Sequence, residues 1–348
     1  VYDGRRPPPL TYPWNKLSGI LPSDACWIGM SGTLRDEHYV VEENGVRIRS
    51  EIQTIAEVLY PKRPLLLISM DSIIERTDAM EYIVKNLTTI RAVAVDDEKV
   101  RMLSNSISKE IDSVVDEILK RRRDMFLAEQ IPAETKEKLH RAIAVLPSTD
   151  PFRIKFLRLT LVRRHIFAST PDIYSRFLRT PMFRRICQKY AGSPPDDLIP
   201  DDSSKVRRIV EMVKNWINLK GSIIIVTSFA RTAFRIGRRL IDNGIENVYL
   251  LTGRTPNKAR VIKDFKRKKP AVLVLTPVAE RDLDFPEASL VIIHDVVSTV
   301  KSMYQRIKRA RRSLVIILYY GGTFEERKVK ILLSRMAKRY PWSIRIVW

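Results

Sequence analysis

Residues Ala271–Leu318 read AVLVLTPVAERDLDFPEASLVIIHDVVSTVKSMYQRIKRARRSLVIIL. Three apolar runs, Val272–Leu275, Leu290–Ile293 and Leu314–Leu318, have the length and branching of strands buried on both faces. Helical spacing fills Thr299–Lys308 between the last two. Fully apolar strands alternating with helices are the pattern of a parallel sheet. Two polar clusters, Thr276–Pro286 and Gln305–Arg312, fall just beyond strand ends, the edge where open α/β sheets bind their ligands.

The same alternation continues on both sides of this stretch. Strands are expected at Ile223–Thr227 and Val248–Leu251, and helices at Thr232–Asn243, Asn257–Lys268 and Phe324–Arg339. Repeated βα units with short links make residues 205–348 an α/β domain with a parallel sheet and helices on both faces. Just before it, residues 191–204, AGSPPDDLIPDDSS, have the Pro, Asp and Ser content of a linker, and Asp201–Ser204 supplies a helix N-cap.

Further upstream the texture changes at Asp97. Apolar residues recur at helical spacing through Val100, Leu103, Ile107, Ile111 and Val115, and residues 97–190 read as a basic helical insertion. Its later part carries Arg163, Arg164, Arg184 and Arg185 among other cations, interleaved with Phe152, Phe156, Phe167, Tyr174, Phe177 and Phe183. The aromatics are expected to be core. The arginines form either a solvated face or a side turned to nucleic acid.

Residues 1–96 begin with a proline-rich lead-in and a short strand, Ala25–Met30, ending in Ser31-Gly32-Thr33-Leu34. Helical and strand patterns alternate from there to Ile90–Val95, a strand that either closes a first domain or bridges to a second. The chain opens on Val1 rather than Met, from which a fragment, or a missing true N-terminus, is expected.

Composition narrows the partners. There are 62 Lys+Arg against 40 Asp+Glu, a formal charge of +22 with a pI near 10.1. That excess favours a polyanion, nucleic acid before membrane, because cations release counterions from a phosphate backbone. A charged thermophile surface, suggested by only four glutamines, leaves the excess over Glu and Asp unexplained. Two cysteines and four scattered histidines have no metal spacing, which predicts no metal site and a reducing, cytoplasmic setting. No apolar run reaches membrane-spanning length.

The order of small motifs in 205–348 resembles the second RecA-like domain of superfamily 2 helicases and translocases. Ile224–Phe229, with Ser228, is similar to motif IV. Leu251-Thr252-Gly253-Arg254 is similar to the segment between motifs IV and V. Thr276, Asp284 and Pro286 stand where motif V has its threonine, aspartate and proline, and Gln305, Arg309 and Arg312 fit the motif VI pattern Q-x-x-G-R-x-G-R. Met30–Leu34 resembles a motif III of the XPD/DinG form. The helical insertion between motifs III and IV is instead similar to archaeal Hef, Fanconi-anaemia M-type translocases and XPF, which predicts the end of a first RecA-like domain within 1–96.

The resemblance implies roles. Arg309 and Arg312 would meet the γ-phosphate of ATP, a task suited to a permanently charged fork. Gln305 would set their geometry, and Asp284 would meet the ribose or motif VI. Ser31, Thr33, Ser228, Thr252, Gly253 and Thr276 would hold phosphates of one DNA strand, supported by Arg163, Arg164, Arg184 and Arg185.

Departures from the family pattern limit those roles. The chain contains no G-x-x-x-x-G-K-[ST], and Asp282, Lys308 and Arg311 replace motif glycines. ATP and Mg²⁺ are therefore expected only where a first RecA-like domain completes the cleft. Three readings remain open: a DNA-binding or assembly platform inactive alone as an ATPase; the C-terminal part of an active DNA translocase, whose first domain lies upstream or in a partner chain; and an α/β domain of unrelated function with a basic surface. Partners would be DNA and a protein supplying a first RecA-like domain or a nuclease.

Overall fold

The computed structural model describes residues 38–42, 45–49, 87–121, 146–217, 221–277, 288–297, 299–307 and 314–347, with isolated positions at 73, 77, 78, 81 and 143. The chain divides into two compact units, one of residues 1–77 and 114–156, the other of 78–113 and 157–348. In the first, strands β1 (His38–Glu42) and β2 (Gly45–Arg49) pair antiparallel, with Glu42 opposite Gly45.

The larger unit is built on seven parallel strands: β3 (Thr88–Val95), β4 (Ile223–Val226), β5 (Val248–Leu251), β6 (Val272–Leu275), β7 (Leu290–Ile293), β8 (Leu314–Tyr320) and β9 (Ile344–Val347). Their order is β5-β6-β4-β7-β8-β3-β9, and every pairing is parallel. The helices with described bounds are α1 (Glu98–Arg121), α2 (Pro151–Ala168), α3 (Pro171–Leu178), α4 (Pro181–Ala191), α5 (Pro195–Leu198), α6 (Ser204–Ile217), α7 (Ala230–Asp242), α8 (Lys258–Arg267), α9 (Val300–Ile307) and α10 (Phe324–Arg339).

Every residue of β4, β6 and β7 is buried, as their unbroken apolar runs require. On one face, Ile224, Leu273, Val291 and Val315 pack with Phe265, Met303, Leu333 and Met336. Helix α7 lies close to β5 because Gly237 carries no side chain; a Cβ there would sit 2.8 Å from Leu250 Cδ2. The expected α/β architecture is present, and the elements from β4 to α10 lie within a few residues of their expected positions.

Three departures from the sequence reading are informative. The strand at Ile90–Val95, left open by sequence between closing a first domain and bridging to a second, belongs to the C-terminal sheet: Thr89–Val95 pairs with Leu314–Tyr320, and Thr88–Arg91 with Ile344–Val347. An apolar run reveals that a strand is buried but not which sheet buries it. Strand β9 is a second difference. As an edge strand it exposes alternate residues and lacks the signature of a core strand.

The segment 191–204, expected as a linker, is the third, being packed within the larger unit. Gly192, at φ 69°, ends α4 with its amide on Gln188 O. Pro195 and Leu198 are buried, and Ser204 Oγ donates to Asp97. The expected N-cap is supplied by Ser203, whose hydroxyl accepts the Val206 amide at 3.4 Å.

Candidate functional site

The parallel register brings four strand ends to one edge. Leu251 is opposite Leu275, Leu275 opposite Val226, and Val226 opposite Ile293. The next amides close the ladder: Thr276 N–H donates to Leu251 O (3.0 Å), Thr227 N–H to Leu275 O (3.0 Å) and His294 N–H to Val226 O (2.9 Å). Thr252, Thr276, Thr227-Ser228 and His294-Asp295 therefore leave the sheet side by side. In the turn after β5, Gly253 and Arg254 are exposed. That turn is held by Thr255, whose Oγ1 accepts the Thr252 amide at 2.8 Å. Thr276 is only 3% exposed, so its expected phosphate contact is not presented at the surface.

Ser228 is held from below. Its amide donates to Asp295 Oδ1 at 2.8 Å and its hydroxyl donates to Oδ2. Arg306 Nη1 donates to the Asp295 carbonyl (3.0 Å) and Nη2 to Ser228 Oγ (3.1 Å). His294 Nδ1 lies 3.5 Å from Asp295 Oδ1, an ion-pair distance without hydrogen-bond geometry. Burial alone would raise the Asp295 carboxyl, but His294, Arg306 and Ser228 outweigh it and hold it well below the usual carboxylate range. The arrangement fixes the turn after β4 relative to the turn after β7 and leaves Ser228 half-buried at the edge.

Residues 204–313 match the family model of the helicase conserved C-terminal domain. Over this segment the chain is similar to the conserved C-terminal domain of helicases, and the parallel sheet that carries it is a RecA-like α/β fold. Among curated proteins the chain is similar to the pre-mRNA-splicing ATP-dependent RNA helicase Prp28 of Schizosaccharomyces pombe, 29% identical over 150 residues, which cover 41% of this chain and 22% of that protein. It is also similar to the ATP-dependent RNA helicase Ddx19 of Dictyostelium discoideum, 37% identical over 91 residues, which cover 25% and 19%. The chain thus spans about a fifth of the length of these relatives. Among solved structures, the Pyrococcus furiosus Hef helicase domain matches with a TM-score of 0.51 at 17% identity, covering 81% of this chain and 64% of that one. This last likeness is one of fold.

A second buried network adjoins the first. Lys205 Nζ donates to both oxygens of Glu325 (2.7 and 2.8 Å), to Phe167 O (3.1 Å) and to His294 O (3.0 Å), and lies 4.6 Å from the Tyr320 ring centroid. Glu325 also accepts the Tyr320 amide at 2.9 Å. Burial pushes the Glu325 carboxyl up, and Lys205 offsets only part of that. One ammonium thus ties α6, α2, the end of β7 and the start of α10 together. Sequence reasoning missed this group. Lys205 lay at a linker boundary and Glu325 in a first helical turn, where an acid is ordinary. The pair His294-Asp295 directly after a buried strand was the available signal.

The arginines expected to meet nucleic acid separate into two kinds. Arg163 is turned inward, 7% exposed, with its guanidinium 3.8 Å over the Phe324 ring and donating to Ser108 Oγ at 3.2 Å. Burial lowers it to about 10, and the expectation that it faces a ligand is corrected. Arg164, Arg184 and Arg185 are exposed on α2 and α4.

Several expected positions fall outside this description. Ser31, Thr33, Asp284, Arg309 and Arg312 lie outside the described residues, and Gln305 is in α9 with its side chain outside them. Arg306, the residue after Gln305, is committed to Asp295 and Ser228. Among the described residues no cluster of His, Cys, Asp or Glu could hold a metal ion, and no helix is long and apolar enough to cross a membrane. Cys187 is a buried free thiol.

Proposed function

We propose that this helicase domain holds the backbone of single-stranded nucleic acid along the C-terminal edge of its sheet. ATP turnover would depend on a first RecA-like domain that completes the cleft. The observation that carries the reading is the alignment of Ser228, Thr252-Gly253 and Thr276 on adjacent strand ends, within a segment matching the helicase C-terminal family. Thr252 offers a hydroxyl there, and exposed Gly253 lets a phosphate approach the backbone, while Ser228, whose amide and hydroxyl both donate to Asp295, sets the shape of the neighbouring turn. Arg254, Arg164, Arg184 and Arg185 are exposed cations of the same unit. Thr276 is buried and continues the sheet ladder through its amide, so it is not among the phosphate contacts. The curated relatives are named RNA helicases, which makes RNA the first strand to test, with DNA as the comparison arm.

A binding platform without turnover is supported by a specific feature of the sequence. Asp282, Lys308 and Arg311 stand where the motifs have glycine, adding bulk and charge where the backbone must turn tightly around a ligand. Fluorescence anisotropy with matched RNA and DNA oligonucleotides tests the proposal. Salt-dependent binding that is nearly independent of sequence is expected. No binding at low salt would contradict it. ATP hydrolysis by the chain alone, stimulated by the strand and abolished by Arg312→Ala, would contradict the second element.

A further inference from the structure

Of the aromatic residues that punctuate the basic helices, Phe156, Phe167, Tyr174 and Phe183 are buried. Phe177 is different, being 37% exposed on α3, whose own buried side is made by Pro171, Tyr174 and Leu178. It is also not isolated. The His165 ring stacks on Phe177 with centroids 4.6 Å apart and planes at 27°, and on Phe229 at 4.6 Å and 12°. Phe177, His165 and Phe229 form a column of three rings from three separate elements. Among the described residues no fourth ring stacks on Phe177.

The surroundings of the column are cationic. Arg164 is exposed, with its guanidinium carbon 5.3 Å from the Phe229 centroid, and Arg176 and Arg179 are exposed on either side of Phe177 in sequence. His165 adds no charge at neutral pH. Burial and the adjacent Arg164 keep its imidazole below the usual range, and Nδ1 shares a hydrogen bond with Ser169 Oγ at 3.1 Å. Phe229 directly follows Ser228, so the column begins one residue from the sheet edge assigned above to the strand's phosphates.

We propose that Phe177, backed by His165 and Phe229, is a stacking platform for one nucleobase of the strand held at the sheet edge, with Arg164, Arg176 and Arg179 meeting its phosphates. The inference rests on the proposed function and adds a base-contacting subsite to it. An exposed ring already ordered by two others offers a flat apolar face at little entropic cost. Every base has a π-face, so such a contact is tolerant of sequence. Positive charge on both sides of an exposed ring complements a polyanion that carries flat aromatic groups. An acidic peptide satisfies the charges but not the ring.

The experiment uses the full chain with two fluorescein-labelled probes of about twelve nucleotides, within the usual span of single-strand sites. One is oligouridylate and the other an abasic sugar–phosphate chain of equal length. Phe177→Ala is expected to weaken oligouridylate binding about tenfold, Phe177→Tyr to restore it, and both variants to bind the abasic chain as the wild type does. Equal binding of oligouridylate by the wild type and Phe177→Ala overturns the platform. So does a Phe177→Ala loss of the same size on the abasic chain, which would mark a structural role. Failure of the wild type to bind either probe overturns the proposed function itself, and the platform with it.

Discussion

Lys205, Arg163 and Arg306 are buried cations around the ends of β7 and β8, whereas Arg164, Arg176, Arg184 and Arg185 are exposed cations on α2, α3 and α4. The first set is satisfied internally. Lys205 has Glu325 and two carbonyls, Arg306 has Asp295 and Ser228, and Arg163 has a ring and a hydroxyl. The second set has few internal partners. Arg164 has one ring beside it, and no ion pair joins any of the four to an acid among the described residues. A chain with a formal charge of +22 thus uses its positive charge in two ways. Buried cations cost desolvation and serve only with their partners in place; exposed ones are nearly free to keep and available to a polyanion.

The most severe way to break this contrast is to remove a buried partner. Lys205→Met leaves the Glu325 carboxylate buried without its ammonium, and a loss of about 3–5 kcal/mol in urea unfolding is expected. The double variant Lys205→Met, Glu325→Leu removes both charges at similar volume and should recover most of that loss. Additive losses in the pair would show that Lys205 acts through its carbonyl contacts instead.

Arg306→Met is the next test, expected to cost about 3 kcal/mol because Asp295 loses its guanidinium. It also carries a pH signature. The Asp295 carboxyl is depressed in the folded state, so its contribution is present above the unfolded carboxylate range and lost as pH falls below it. Removing Arg306 raises the folded value and brings acid unfolding to higher pH. An unchanged acid midpoint would separate Arg306 from Asp295.

A milder effect concerns histidine. Burial lowers both His294 and His165 below the ordinary imidazole range. The unfolded chain therefore takes up these protons first, and stability should begin to fall as pH drops below about 6.5. His294→Gln should flatten the slope. A slope unchanged by that substitution would assign the acid sensitivity elsewhere.

These contrasts also show what could be read before folding. Strands β4, β6 and β7 were legible because each is an unbroken apolar run buried on both faces, and Ser228 and Thr252 were legible as polar residues just beyond strand ends. The membership of β3 was not, since Ile90–Val95 finds its partners at Leu314–Tyr320 and Ile344–Val347, far along the chain. Nor could arginine at 163 be told from arginine at 164. Both look alike in sequence, and only the packing of α2 turns one onto Phe324 and leaves the other in solvent. Phe177 is the converse: it shares its segment with aromatics that are core, yet remains exposed.

The smallest expected effect on stability accompanies the most direct test of function. Arg184→Ala combined with Arg185→Ala should change unfolding by no more than about 0.5 kcal/mol, as expected for exposed positions. The same double variant bears on the proposal that exposed cations of the larger unit hold a nucleic-acid backbone while buried ones hold the fold. The deciding measurement is oligonucleotide affinity for wild type and variant over a series of salt concentrations. For the wild type, affinity should fall steeply with salt, and the double substitution should reduce the logarithmic slope by about 1.4, roughly 0.7 for each phosphate of a single strand that is no longer neutralised. A flat salt dependence, or a slope identical in the two proteins, would contradict the account.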